Sequence, residues 1–274
     1  MDSADLIIGI GYDTIEVEFE AWIGTTPLLQ VDIEPVDIEP SVRLIHQVTG
    51  DLSKSLKYFL SKRSTKNSWA LNELAKHKEV FNKKLRPKAD LFTAYEAIDA
   101  VRAALPKNGI LSFDVGAHTH QIASQWNVPA HHSFLITNGW SSMGFGLPAA
   151  IAAKIACPQR DVVCLIGDGC FQMTCGELAT AKRLGLNLPV IVLDDRWLAL
   201  IRIKQVRRQF GVYGTELQTE EYRSPPEHYF GVPALGVSDA QNLEKAVKEA
   251  LKAKHPTVIE ALVNSDHYLE TVFD

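Results

Sequence analysis

Two acidic positions, each at the end of an apolar run, carry the chemistry legible in this chain. Val162-Val163-Cys164-Leu165-Ile166 runs into Gly167-Asp168-Gly169-Cys170, and Leu188-Pro189-Val190-Ile191-Val192-Leu193 runs into Asp194-Asp195. Each run is short, rich in aliphatic residues and bounded by turn signals, and so reads as a strand buried on both faces of a parallel sheet. Between them, Glu177-Leu178-Ala179-Thr180-Ala181-Lys182-Arg183-Leu184 has helical composition, which completes a β-α-β unit. A right-handed crossover ends both strands on one edge of the sheet, so Asp168 and Asp195, nearly thirty residues apart, converge on one point. Two carboxylates meeting there suit a hard divalent cation. Magnesium takes oxygen ligands in a near-octahedral shell at roughly 2.0–2.1 Å and shares them with a phosphate, which the Gly169 and Cys170 backbone amides can also hold. Taken singly, Gly-Asp-Gly is also an ordinary turn, and Asp194-Asp195 a solvated strand end; the spacing of the two elements is what favours a site.

The elements around this unit continue the alternation. Helix signals near Thr93 to Ala104, a strand at Ile110 to Phe113, a helix near Phe145 to Ala156, a helix from Ala240 to Lys254 and a strand from Thr257 to Val263 predict an α/β, doubly wound parallel sheet. Leu198 to Gln205 reads as a helix following the second acidic pair; Leu198, Leu200 and Ile201 suit helix core and pocket wall equally. Arg202 and Lys204 fit either a solvated surface or a carboxylate contact. Between Ser53 and Arg86 Lys and Glu alternate at helical spacing, and Pro87 ends the run, which predicts two exposed helices and a linker. Ahead of them, Asp5 to Tyr12 reads as a buried strand entering a glycine turn, and Pro27 to Ile33 as another. Gly9-Ile10-Gly11 lacks the third glycine of a dinucleotide fingerprint, and Thr14-Ile15-Glu16-Val17-Glu18 opens no convincing helix, so dinucleotide binding is disfavoured.

Composition narrows the partners. A formal charge of −5 over 274 residues, with no persistent basic cluster, argues against nucleic acid. No stretch suggests a membrane, and Met1-Asp2-Ser3-Ala4-Asp5 lacks a basic leader, so a cytoplasmic location is expected. Cys157, Cys164, Cys170 and Cys175 lack zinc-type pairing and read as reduced thiols. Cys170 is either oxidisable or simply buried.

The acidic pair resembles the signature of thiamine diphosphate enzymes, a Gly-Asp-Gly followed after nearly thirty residues by Asn-Asn. Asn138-Gly139-Trp140-Ser141-Ser142-Met143-Gly144-Phe145-Gly146-Leu147-Pro148-Ala149-Ala150 is similar to the segment opening the diphosphate half-site of acetolactate synthases and related decarboxylases, and Asp114-Val115-Gly116-Ala117-His118 resembles their upstream diphosphate loop. The resemblance implies Mg²⁺ held by Asp168, the Asp195 side chain and the Trp197 carbonyl. It implies diphosphate contacts from Gly116, His118, Gly169 and Cys170. Met143 would be the apolar wedge that bends thiamine diphosphate into a V, and the Ser141 carbonyl would receive its 4′-amino group. His120 has only proximity in its favour and is not counted.

The resemblance also implies an organisation: residues 1–87 as the closing part of a Rossmann-like central domain plus linker, and residues 88–274 as the diphosphate-binding domain. Asp194-Asp195 replaces Asn-Asn, which keeps a metal ligand at Asp195 and adds a charge at Asp194 that needs a partner or solvent. Ala117 stands where many synthases carry a polar residue. Nothing matches the pyrimidine-binding domain whose glutamate activates the cofactor in this family. The implied function is the thiamine diphosphate- and Mg²⁺-binding portion of an acetolactate synthase-like carboligase or decarboxylase of 2-keto acids. It would work with a separate pyrimidine-domain chain, in a homodimer or higher oligomer. A non-catalytic cofactor-binding or regulatory module of the same fold, and a different Mg²⁺-phosphate enzyme, are the other readings.

Overall fold

The computed structural model describes residues 4–12, 23–62, 70–137, 139–217 and 227–272. Asn138, and the 13–22 stretch that bears on dinucleotide binding, lie outside them. The chain divides into two compact units, Met1–Leu71 and Asn72–Asp274.

In the first unit β1 (Ile7–Ile10), β2 (Leu28–Asp32) and β3 (Leu44–Thr49) form a parallel sheet in the order β1-β2-β3, followed by α1 (Leu52–Ser61). Asp51 caps α1, its carboxylate accepting the Lys54 N–H at 3.0 Å. β2 is the buried member, with Leu28 and Val31 buried and Leu28 packing beside Ile23 and Val42. β1 is not the buried strand the sequence suggests. It is an edge strand with Ile8 and Ile10 more than 40% exposed, since a three-stranded sheet covers only its middle member on both sides.

The boundary between the units falls at the first residue of α2 (Leu71–Lys84), which, like α1, has no buried residue, as its interspersed Lys and Glu require. There follow α3 (Ala94–Ala104), β4 (Ile110–Phe113), α4 (Ala117–Gln125), β5 (Phe134–Leu135), α5 (Gly146–Ala156), β6 (Val162–Gly167), α6 (Asp168–Thr174), α7 (Glu177–Arg183), β7 (Pro189–Asp194), α8 (Ala199–Arg207), β8 (His228–Tyr229), β9 (Val232–Val237), α9 (Ala240–Ala250), β10 (Thr257–Leu262) and α10 (Tyr268–Thr271). Thr93 starts α3 with a reciprocal capping box to Glu96.

The strands form one seven-stranded sheet in the order β5-β4-β6-β7-β10-β9-β8, parallel except at the β8–β9 edge. Successive residues of β6 serve opposite faces. Val163 and Leu165 join α3, α4, α8 and α9 in one core, whereas Val162, Cys164 and Ile166 join α5, α6 and α7 in the other. This is the doubly wound α/β arrangement. From β4 the chain moves outward to β5, then crosses back to lay β6 on β4's other side. The strand order therefore reverses between β4 and β6, and a crevice opens beyond their carboxyl ends. Among the described residues no helix is long and apolar enough to cross a membrane.

Candidate diphosphate site

The crevice at the reversal point is a cavity of about 230 Å³. Its lining comes from the turns after three neighbouring strands: Gly116 and His118 after β4, Asp168, Gly169 and Cys170 after β6, Asp195 and Trp197 after β7. Ser141 and Met143 reach it from the segment before α5, and Leu198, Ala199, Leu200, Ile201 and Tyr268 close it. All nine residues singled out from the sequence thus line one cavity.

The glycines let backbone and side chains meet closely. A Cβ on Gly169 would lie 3.0 Å from Leu198 and 3.3 Å from both Leu217 and Met143. A Cβ on Gly116 would stand 2.8 Å from the His118 ring. Larger residues at either position would fill the crevice.

The segment carrying Ser141 and Met143 is tied to the β4 turn by a buried carboxylate. Asp114 accepts the Gly144 N–H at 2.9 Å and the Gly146 N–H at 3.1 Å on Oδ2, and the Val115 N–H at 2.8 Å on Oδ1. Ser141 itself has φ 47°, a left-handed conformation uncommon outside glycine. Asp114 is the bracing residue that sequence reasoning missed; Gly144 and Gly146 lie about thirty positions away from it, beyond any local pattern.

Asp168 and Asp195 are both tied to backbone. Asp168 Oδ1 accepts the Gly169 N–H (2.8 Å) and Oδ2 the Arg196 N–H (2.8 Å), while Asp195 Oδ1 accepts the Trp197 N–H (2.9 Å). The Gly169 amide is therefore engaged by the neighbouring carboxylate. Arg196 takes φ 67°, turning the chain so that Asp168 reaches across from β6 to β7. Burial, then the charges of Asp195 and Asp194, push the Asp168 pKa far above the carboxylate range. Asp195 is also raised, first by burial, with the Trp197 N–H opposing. Two carboxylates crowded into a half-dry crevice are a cost that a bound cation would relieve. Among the described residues no group of three or more His, Cys, Asp or Glu side chains can hold a metal by itself. The remaining ligands would have to be carbonyls, water or a ligand's own oxygens.

His118 sits in the first turn of α4, 6% exposed, with Nε2 meeting no hydrogen-bond partner. Burial, and secondarily His120, lower its pKa to about 4, so it is neutral. Cys170 is a buried thiol donating to the Val115 carbonyl at 3.1 Å, and burial pushes its pKa to about 12, which removes thiolate reactivity at neutral pH. All four cysteines are free. Arg202 is not among the residues lining this crevice; its guanidinium stacks on the Trp197 ring at 4.3 Å.

The pattern of residues and the cavity agree with what the chain resembles. Residues 114–261 match the model of the thiamine pyrophosphate enzyme family, C-terminal TPP binding domain. A probable acetolactate synthase large subunit of Methanococcus aeolicus is 25% identical over 99% of this chain and 49% of its own length. A putative thiamine pyrophosphate-containing protein, YdaP, of Bacillus subtilis is 26% identical over 97% of this chain and 47% of its own. The acetolactate synthase large subunit of Porphyra purpurea is 26% identical over 97% and 47%. The chain spans about half the length of the curated relatives it matches. It belongs to the thiamine pyrophosphate enzymes, carries their C-terminal thiamine diphosphate-binding domain, and is acetolactate synthase-like in sequence.

Proposed function

We propose that this chain supplies the Mg²⁺-diphosphate half-site of an enzyme acting on 2-keto acids in the manner of acetolactate synthase. The observation that carries this reading is the convergence of Asp168, Asp195, Gly116, His118, Gly169, Cys170, Ser141, Met143 and Trp197 on one cavity. The residues fit the group: crowded carboxylates await a cation, the buried His118 Nε2 awaits a partner, and Gly169 leaves room that a side chain would take.

Asp168, Asp195 and the Trp197 carbonyl would hold Mg²⁺, with Gly116, His118, Gly169 and Cys170 against the diphosphate. Asp114 braces the segment carrying Ser141 and Met143 through Gly144 and Gly146; when the cofactor is bound, Met143 would be its apolar support and the Ser141 carbonyl would receive the aminopyrimidine. Leu198, Leu200 and Ile201 supply the apolar wall. When bound, thiamine diphosphate supplies a nucleophilic carbon and an electron sink for decarboxylation of a 2-keto acid. The carboxylates lining the cavity are Asp168 and Asp195, both assigned to the metal. The acid that activates the aminopyrimidine would then come from a pyrimidine-binding domain, in the same oligomer or on another chain.

Calorimetric titration with thiamine diphosphate tests the reading. Saturable binding in Mg²⁺ that disappears with chelator, and pyruvate turnover that appears only with a pyrimidine-binding domain added, are expected. Metal-independent binding, or none in Mg²⁺, would overturn it.

A further inference from the structure

Tyr268 opens α10, beyond the residues 114–261 that match the family model. It is 2% exposed, yet it lines the same cavity as Asp168 and Asp195. Packing, not helix length, fixes its place, because α10 has four residues and lies against α4 and α8. Arg207 of α8 holds the far end, its Nη2 donating to the carbonyls of Leu269 (3.1 Å) and Val272 (2.5 Å). The Tyr268 ring meets the His267 ring at a tilt of 43°, with centroids 4.4 Å apart. Its hydroxyl makes no hydrogen bond to any described residue. Burial, with the nearby charges of Asp195 and Asp168, raises the phenol pKa well above its ordinary value and keeps the proton on oxygen. A donor with no acceptor in the protein can serve a ligand that supplies one, and Tyr268 lines the cavity that holds Asp168 and Asp195. His118 Nε2, on the helix that α10 packs against, is a second unpartnered polar atom lining that space.

Resting on the diphosphate reading above, we infer that the Tyr268 hydroxyl donates a hydrogen bond to the anion bound at Asp168 and Asp195. The segment after β10 thereby contributes a diphosphate-binding residue of its own. The hydroxyl is the only group that distinguishes tyrosine from phenylalanine, so Tyr268→Phe removes the bond and keeps the packing.

The test compares wild type with Tyr268→Phe by native mass spectrometry in Mg²⁺ with inorganic pyrophosphate. Occupancy is read on the folded charge states, so that lost stability does not count as lost affinity. A charge-assisted bond predicts roughly tenfold weaker pyrophosphate binding by the variant, with Mg²⁺ binding in the absence of anion unchanged. Equal affinities would overturn the inference, as would an equal loss of Mg²⁺ binding alone, which would assign the phenol to the carboxylates. Failure of wild type to take up pyrophosphate would overturn the diphosphate reading itself.

Discussion

Asp194 and Asp195 are adjacent, yet they face two different environments, and the contrast separates a binding site from a plain cavity. Asp195 opens on the 230 Å³ crevice, where its carboxylate is anchored by the Trp197 N–H and shares the lining with glycines, Asp168 and the unpartnered His118 Nε2. Asp194, pointing to the other side of β7, enters a cavity of about 170 Å³ with Phe171, Gln172, Cys175, Val192, Tyr229 and Glu260, and Asp168 lines both cavities. There Glu260 is satisfied by the Tyr229 hydroxyl, but neither oxygen of Asp194 meets a hydrogen-bond donor. The additional charge has little solvent, at 4% exposure; burial raises its pKa, and the Asp168 side chain and the Arg196 charge offset that only in part. Acidity alone is common to both sides. What distinguishes the Asp195 side is backbone donors that fix carboxylate direction, glycines that leave space, and strand ends that converge.

Substitutions on the two sides should therefore behave oppositely. The largest effect is expected from Asp195→Ala, which removes one of the carboxylates proposed to hold Mg²⁺: thiamine diphosphate affinity in Mg²⁺ should fall by more than about 100-fold. A change below threefold in calorimetry would mean that Asp195 is not a ligand.

Acid titration probes the neutral histidine on the site side. His118 is depressed to about 4 from 6.5, so the unfolded chain binds the extra proton first. Stability tied to His118 is complete above pH 6.5 and is lost as pH falls toward 4, on the order of 3 kcal/mol in all. Urea midpoints of wild type and His118→Gln, followed over that window, should converge as the pH drops; parallel curves would show that His118 is not buried neutral.

The smallest effect belongs to the other side. Asp194→Asn removes a buried charge that crowds Asp168 and should raise ligand-free stability at neutral pH by about 1–2 kcal/mol, with thiamine diphosphate affinity within about twofold of wild type. A destabilised variant, or one that no longer binds, would place Asp194 in the site and erase the contrast.

How much of this was legible in the sequence depends on where each signal lay. The β6-α7-β7 unit and the meeting of Asp168 with Asp195 could be read because continuous apolar runs and a right-handed crossover leave little freedom. α4 and α6 were not, because each starts directly on a glycine-containing turn, Gly116 or Gly167, whose composition reads as loop. β9 hides behind Pro233 and Gly236, both weak strand formers, and is recovered by pairing with β10. β1 was read as buried from its apolar residues, but burial depends on neighbours that a four-residue window does not contain. The contributions of Asp114 and Tyr268 arise from contacts between distant segments, and Asp266-His267-Tyr268 carries no periodic signal at all.

The most direct measurement of the central claim is native mass spectrometry of the chain with thiamine diphosphate, with and without Mg²⁺, beside Asp168→Ala. Asp168 bridges the β6 and β7 ends through the Gly169 and Arg196 amides, so the metal site should not survive its loss. The account predicts a one-to-one adduct that requires Mg²⁺ and is absent in the variant. An adduct that forms equally without metal, or that persists in Asp168→Ala, would contradict it.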